Sequence, residues 1–167
     1  VGGLVCLDVG ASTGGFTDCL LQNGAKTVYA VDCGRGQLRW KLQRDERVVV
    51  MDRTNARYMA PDDFAVRPQL AVVDASFISL EKLLPALSGI VSSGNRIVSL
   101  IKPQFEAGRE QVQPGGVIID PEVHEAIVDK VRTFGEKNLD LLWRGCIESP
   151  IKGPAGNIEF LSYWEKR

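Results

Sequence analysis

Short apolar runs alternate along the whole chain with stretches whose apolar positions recur every three or four residues, the pattern of a parallel sheet covered by helices on both faces. The pattern predicts strands at Leu4–Val9, Thr27–Val31, Arg47–Met51, Leu70–Val73 and Arg96–Ile101. Helical segments are expected at about Phe16–Gln22, where Asn23-Gly24 stops the turn, within Gln37–Arg44, and at Leu80–Leu87. A Gly/Pro-containing loop, Gln104–Ile119, leads to a helix opened by Asp120 as N-cap and Pro121 in its first turn, with Val123, Ile127, Val131 and Phe134 on one face. Two last strands, about Leu139–Ile147 and Ile158–Trp164, are joined by the short Ser149–Asn157 connection. So short a link joins antiparallel neighbours, which sets the final strand against the others. No internal repeat, low-complexity tract or linker interrupts this order, and residues 1–167 read as one domain.

The strands close on polar residues: Asp8, Asp32, Asp52, Asp74 and Lys102 mark the carboxyl ends of the first five. Any one aspartate can be a helix cap. Five charged groups along one rim, each costly to bury unpaired, make a site, and in open parallel sheets ligands bind at that rim.

Composition narrows the chemistry. A chain of 167 residues with 44% hydrophobic positions has enough length for a core that buries roughly 70% of its unfolded surface, without a metal or disulfide staple. The single histidine, His124, disfavours Ser-His-Asp, Cys-His and multi-His zinc schemes, and it is expected near a helix start as an exposed or capping residue. Cys6, Cys19, Cys33 and Cys146 show no Cys-x-x-Cys spacing and read as reduced packing residues of a cytoplasmic protein. No apolar run approaches the roughly 20 residues of a membrane span, and no metal is expected. The opening Val1-Gly2-Gly3 is neither a signal peptide nor a natural start, so an excised piece is expected. A net charge of -1 gives no global pull on nucleic acid. A local cluster, Arg35, Arg39, Lys41, Arg44, Arg47, Arg53 and Arg57, with Trp40 among them, fits either a phosphate-contacting face or a solvated helix face.

The first turn, Gly10-Ala11-Ser12-Thr13-Gly14-Gly15, has the spacing Gly-x-x-x-Gly-Gly, where a dinucleotide fold needs Gly-x-Gly-x-x-Gly. Asp8 before it would repel a pyrophosphate and suits a cationic ligand. Asp32 is placed to accept from ribose hydroxyls, and Asp52 to reach an adenine amino group. The implied ligand is an adenosine without phosphates and with a positive, amino-acid-like end: S-adenosylmethionine. Gly10, Ser12, Gly14, Gly15 and Phe16 complete the expected cofactor site, with Asp74 at its edge.

Asp8-Val9-Gly10-Ala11-Ser12-Thr13-Gly14-Gly15-Phe16-Thr17-Asp18, with Ala30-Val31-Asp32, Val73-Asp74-Ala75-Ser76-Phe77 and Ile101-Lys102-Pro103-Gln104-Phe105-Glu106, closely resembles the FtsJ-like RNA 2'-O-methyltransferases, and within them the TlyA branch, also called haemolysin A. The resemblance spans essentially the whole chain. It implies a Rossmann-like methyltransferase fold with a seven-stranded, mostly parallel sheet, S-adenosylmethionine as methyl donor, and ribosomal RNA or ribosomal subunits as substrate. Of the family's Lys-Asp-Lys-Glu tetrad, the Asp falls on Asp74, the second Lys on Lys102 and the Glu on Glu159. The first Lys and an S4-like RNA-binding domain are expected upstream of this chain. A chain without them is expected to bind S-adenosylmethionine yet methylate RNA poorly or not at all.

Arg35, Arg39, Phe105 and Glu106 are candidate substrate contacts, as is Arg109 if the Gln104–Ile119 loop acts as a lid. Trp143, Tyr163 and Trp164 fit sheet packing better than base stacking. Asp74-Ala75-Ser76-Phe77 replaces the Asn/Asp-Pro-Pro-Tyr/Phe motif common where exocyclic amines are methylated, which favours an oxygen target. Two other classes compete. An NAD-dependent oxidoreductase keeps the fold but conflicts with the glycine spacing and Asp8. A membrane-active haemolysin lacks any segment with a basic face and a long apolar face.

Overall fold

The computed structural model describes residues 1–108, 112, 115–153 and 155–167. Seven strands form one sheet: β1 Val5–Val9, β2 Thr27–Val31, β3 Val48–Met51, β4 Leu70–Val73, β5 Arg96–Ile101, β6 Leu141–Glu148 and β7 Phe160–Lys166, in the order β3-β2-β1-β4-β5-β7-β6. The first five run parallel. β7 lies between β5 and β6 and is antiparallel to both, as the short connection predicts. The helices are α1 Gly15–Gln22, α2 Trp40–Gln43, α3 Leu80–Ile90, α4 Pro103–Glu106 and α5 Pro121–Asn138.

Alternate side chains of a strand face opposite layers, and two apolar clusters result. Val5, Leu7 and Val9 of β1 pack with Ala71 and Val73 of β4 beneath α3 and α5. Cys6, Val28, Ala30, Leu70 and Val72 face the other way, against Leu20 and Leu21 of α1 and Leu42 of α2. This alternation points Asp8 at the α1 layer, where it is wholly buried. Strand order reverses between β1 and β4, where the two layers of crossover helices part.

The β5–β7 register is locked by a buried polar cluster. The Trp164 indole N–H donates to Ser99 and Ser162 Oγ (3.1 and 3.0 Å), and Ser162 Oγ bonds Ser99 O at 2.8 Å. Trp164 is fully buried against Gly135 of α5, where an added Cβ would lie 2.5 Å from the ring. Trp143 stacks edge-on against it at 4.7 Å, so both tryptophans pack within the sheet layers, whereas Tyr163 stays on the surface.

Four expectations change. His124 is buried, not exposed: its ring shares a hydrogen bond with Ile118 O (3.0 Å) and packs edge-on against Phe160, because it lies on the inward stripe His124, Ile127, Val131 and Gly135. Cys19 and Cys33 are exposed, since they sit on the outer side of α1 and in the turn after β2; only Cys6 is fully buried. The basic helical stretch shortens to α2, preceded by the glycine turn Gly34–Gly36. The Gln104–Ile119 loop begins as helix α4, and its far end is pinned by Asn157, which accepts from Ile118 N and donates to Gly116 O. Arg109 lies outside the described residues, as does part of the segment read as a lid.

Candidate active site

The Gly-rich turn leaves β1 through Gly10 (φ +82°), where a Cβ would lie 2.3 Å from Asp74 O. The ends of β1 and β4 therefore approach so closely that only glycine fits between them. Gly14 (φ +99°) has no such room either: a Cβ there would meet Leu38 and Leu42. Ser12 also adopts a left-handed backbone. Its N–H donates to Asp32 Oδ2 at 2.8 Å, while Gly34 N–H donates to Oδ1 at 2.7 Å. One carboxylate thus ties the turns after β1 and β2 together.

Between these turns and the β4 end lies a cavity of about 420 Å³, within the range of small-molecule sites. Gly10, Ser12, Asp32, Thr54, Asn55 and Asp74 supply its polar groups, and Val9, Val31, Ile78 and Leu83 its apolar wall. Asp8 lies beneath the turn. Its Oδ2 accepts from the Thr17 hydroxyl at 2.6 Å, and its buried Oδ1 has no hydrogen-bond partner. Burial raises its carboxyl from 3.8 to about 6, opposed by the Thr17 bonds and reinforced by the Asp74 and Asp32 carboxylates.

At the rim, Lys102 Nζ pairs with Asp74 Oδ1 at 2.6 Å and donates to Ser76 Oγ at 3.2 Å. Lys102 is buried, while the Asp74 side chain is 37% exposed, so the pair opens toward solvent on the carboxylate side. Glu159, also buried, accepts from Gln104 Nε2 at 3.0 Å, two residues past Lys102. Phe77, 89% exposed and at φ +63°, leans on Phe105 with ring centroids 5.0 Å apart.

Several expected site residues sit elsewhere. Asp52 Oδ2 accepts from Gly36 N at 2.8 Å and does not line the cavity; Thr54 and Asn55 stand there instead, because the chain turns inward after β3. Glu106 is buried and does not line the cavity; its two oxygens accept from Ser79 Oγ and Leu80 N at the start of α3. Phe16 packs on the α1-side apolar cluster rather than lining the cavity, and Gly15 is the first residue of α1. Arg35 and Arg39 are exposed beside the cavity's Gln37. Phe77, Thr54 and Asn55 carried no separate sequence signal: a motif position and two ordinary loop residues become a site only through the backbone path.

A second cavity of about 420 Å³ lies between α5 and the β6–β7 pair, lined by His124, Trp143, Cys146 and Phe160. Among the described residues no His, Cys, Asp and Glu cluster is placed to hold a metal ion, and no helix is long and apolar enough to cross a membrane.

The model of the FtsJ-like methyltransferases matches residues 2–166. The chain belongs to that family. The 16S/23S rRNA (cytidine-2'-O)-methyltransferase TlyA of Mycobacterium tuberculosis is 50% identical over 96% of this chain, which spans 59% of that protein's length. A crystal structure of a candidate haemolysin from Lactococcus lactis is 50% identical and superimposes with a TM-score of 0.97, over 100% of this chain and 80% of that one. An N-methyltransferase from Bradyrhizobium japonicum, 13% identical over 99% of this chain and 79% of that one with a TM-score of 0.69, shares the fold alone.

Proposed function

We propose that this FtsJ-like domain binds S-adenosylmethionine in the β1–β4 cavity and transfers its methyl group to a ribose 2'-hydroxyl of ribosomal RNA. The pairing of buried Lys102 with half-exposed Asp74 at the cavity rim carries the reading, supported by the cytidine-2'-O specificity named for the Mycobacterium relative. The cavity fits this cofactor. Asp32 offers carboxylate oxygens for ribose hydroxyls, the unpartnered Asp8 oxygen lies beneath the turn expected to carry the cationic amino-acid end, and no Cβ blocks Gly10.

S-adenosylmethionine supplies, when bound, a methyl carbon on a sulfonium, a good leaving group. The protein's task is then to aim a weak nucleophile and receive its proton. Lys102 Nζ, fixed by Asp74 and Ser76, holds the 2'-oxygen; the half-exposed Asp74 carboxylate takes the proton or passes it to water. Glu159 braces the segment that follows Lys102 through Gln104. Arg35 and Arg39 contact phosphates beside the cavity, and an S4-like module outside these residues adds RNA affinity. The protein works in the cytoplasm, where its RNA is.

The test is transfer of labelled methyl to ribosomal subunits by this chain joined to the segment expected upstream of it, which carries the first Lys and the RNA-binding module. The label should sit on ribose, read by resistance of the adjacent phosphodiester to alkali, and Lys102→Ala should abolish it with S-adenosylhomocysteine affinity kept. Label on a base, or transfer unaffected by Lys102→Ala, refutes the proposal.

A further inference from the structure

We infer that Glu106 is a positioning residue of this site: its buried carboxylate fastens the Asp74–Ser79 loop to the Lys102 turn and so sets the Asp74–Lys102 pair and the exposed ring of Phe77. The inference rests on the proposed methyl transfer.

Two short segments leave neighbouring strands here, 74–80 after β4 and 102–106 after β5. They are stitched at both ends. At the strand end, Lys102 Nζ reaches Asp74 Oδ1 (2.6 Å) and Ser76 Oγ (3.2 Å). At the far end, Glu106 Oε2 accepts from Ser79 Oγ at 2.6 Å and Oε1 from Leu80 N at 2.7 Å. Between the stitches Phe77 holds a left-handed backbone, which a bulky residue keeps only where its surroundings over-determine it, and its ring meets Phe105 from the opposite segment.

Capping alone does not account for Glu106. Ser79 already caps α3, its Oγ accepting from Glu81 N at 3.1 Å, and an N-terminus needs no buried acid from another element. Burying that carboxylate is costly, and burial raises its pKa against the Leu80 and Ser79 bonds. The distinctive consequence of the contact is cross-strand: it closes a ring through Lys102, Ser76, Ser79 and Glu106. Lys130 Nζ, bonded to Glu106 O (3.2 Å) and paired with Glu81 (3.6 Å), presses the same junction from α5.

The test compares Glu106→Ala, Glu106→Gln and Ser79→Ala by the rate of reductive methylation at each lysine, read by peptide mass spectrometry. Lys166, 18% exposed on β7, reports global loosening. Glu106→Ala should raise Lys102 labelling about tenfold with Lys166 unchanged, and lower kcat with little change in KM for S-adenosylmethionine. Glu106→Gln should restore both, because its amide oxygen can accept from Leu80 N while its NH2 donates to Ser79 Oγ. Ser79→Ala, which leaves the Leu80 bond, should give a smaller rise and serves if Glu106→Ala does not fold. Lys102 labelling at the wild-type rate in Glu106→Ala or Ser79→Ala, despite a lowered Tm, overturns the inference and leaves Glu106 as a helix cap. Failure of every variant, wild type included, to bind S-adenosylhomocysteine would refute the functional reading and leave the labelling result standing on its own.

Discussion

Asp8→Asn should make the cofactor-free protein more stable at neutral pH and weaken cofactor binding. Asp8 is fully buried, and its carboxyl is raised from 3.8 to about 6, chiefly by burial. A group whose folded pKa exceeds its unfolded one stabilises the fold while protonated. That stabilisation is complete below about pH 4 and is lost as pH rises through about 6. At ~1.4 kcal/mol per pH unit, the interval from 3.8 to about 6 corresponds to about 3 kcal/mol. Asparagine removes the titration and keeps an amide oxygen for the Thr17 hydroxyl, which donates to Asp8 at 2.6 Å. The advantage of Asp8→Asn over wild type should therefore grow by about 3 kcal/mol between about pH 4 and about pH 7. Urea unfolding across that range, without cofactor, measures it. In the same variant S-adenosylhomocysteine should bind at least about tenfold more weakly, since the negative charge beneath the Gly-rich turn that favours the ligand's cationic end is removed. A stability difference that stays constant with pH would show that Asp8 ionises normally in the fold and would refute the reasoning.

Gly10→Ala should cost at least about 2 kcal/mol and abolish S-adenosylhomocysteine binding in a calorimetric titration, because φ +82° is strained for alanine and its Cβ would lie 2.3 Å from Asp74 O. Asp32→Ala frees the Ser12 and Gly34 N–H groups; affinity for S-adenosylhomocysteine should fall at least about tenfold, and unchanged affinity would place the cofactor elsewhere. Gly135→Ala drives a methyl to 2.5 Å from the Trp164 ring and should lower unfolding free energy by ~1–3 kcal/mol, while binding by the folded fraction stays as in wild type.

How much was legible in advance follows from which interactions are local. Strands β2, β4 and β5 have the predicted limits because apolar runs bounded by polar residues specify them with little help from neighbours. The Asp120 cap of α5 is equally local: its side chain accepts from Glu122 N. His124 was misplaced because the helical face that turns inward is chosen by the partner, here Phe160 and Ile118, and not by the polarity of the residue. Asp52 and Glu106 stand at the expected strand ends and motif positions, yet their carboxylates bond Gly36 N and the start of α3. Chemical type told that these groups would find donors; only the packed backbone told which.

The sequence alone determined the alternation of strands and helices, the antiparallel last strand and the row of charged residues at the strand ends, because each depends on periodicity and on short connections. Tertiary structure decided the rest. The close approach of β1 and β4 makes Gly10 obligatory, the layer above β1 buries Asp8, and the meeting of two post-strand segments turns Lys102, Ser76, Ser79 and Glu106 into one clamp. These are contacts between residues far apart in the chain, and their partners are set by the order of strands in the sheet.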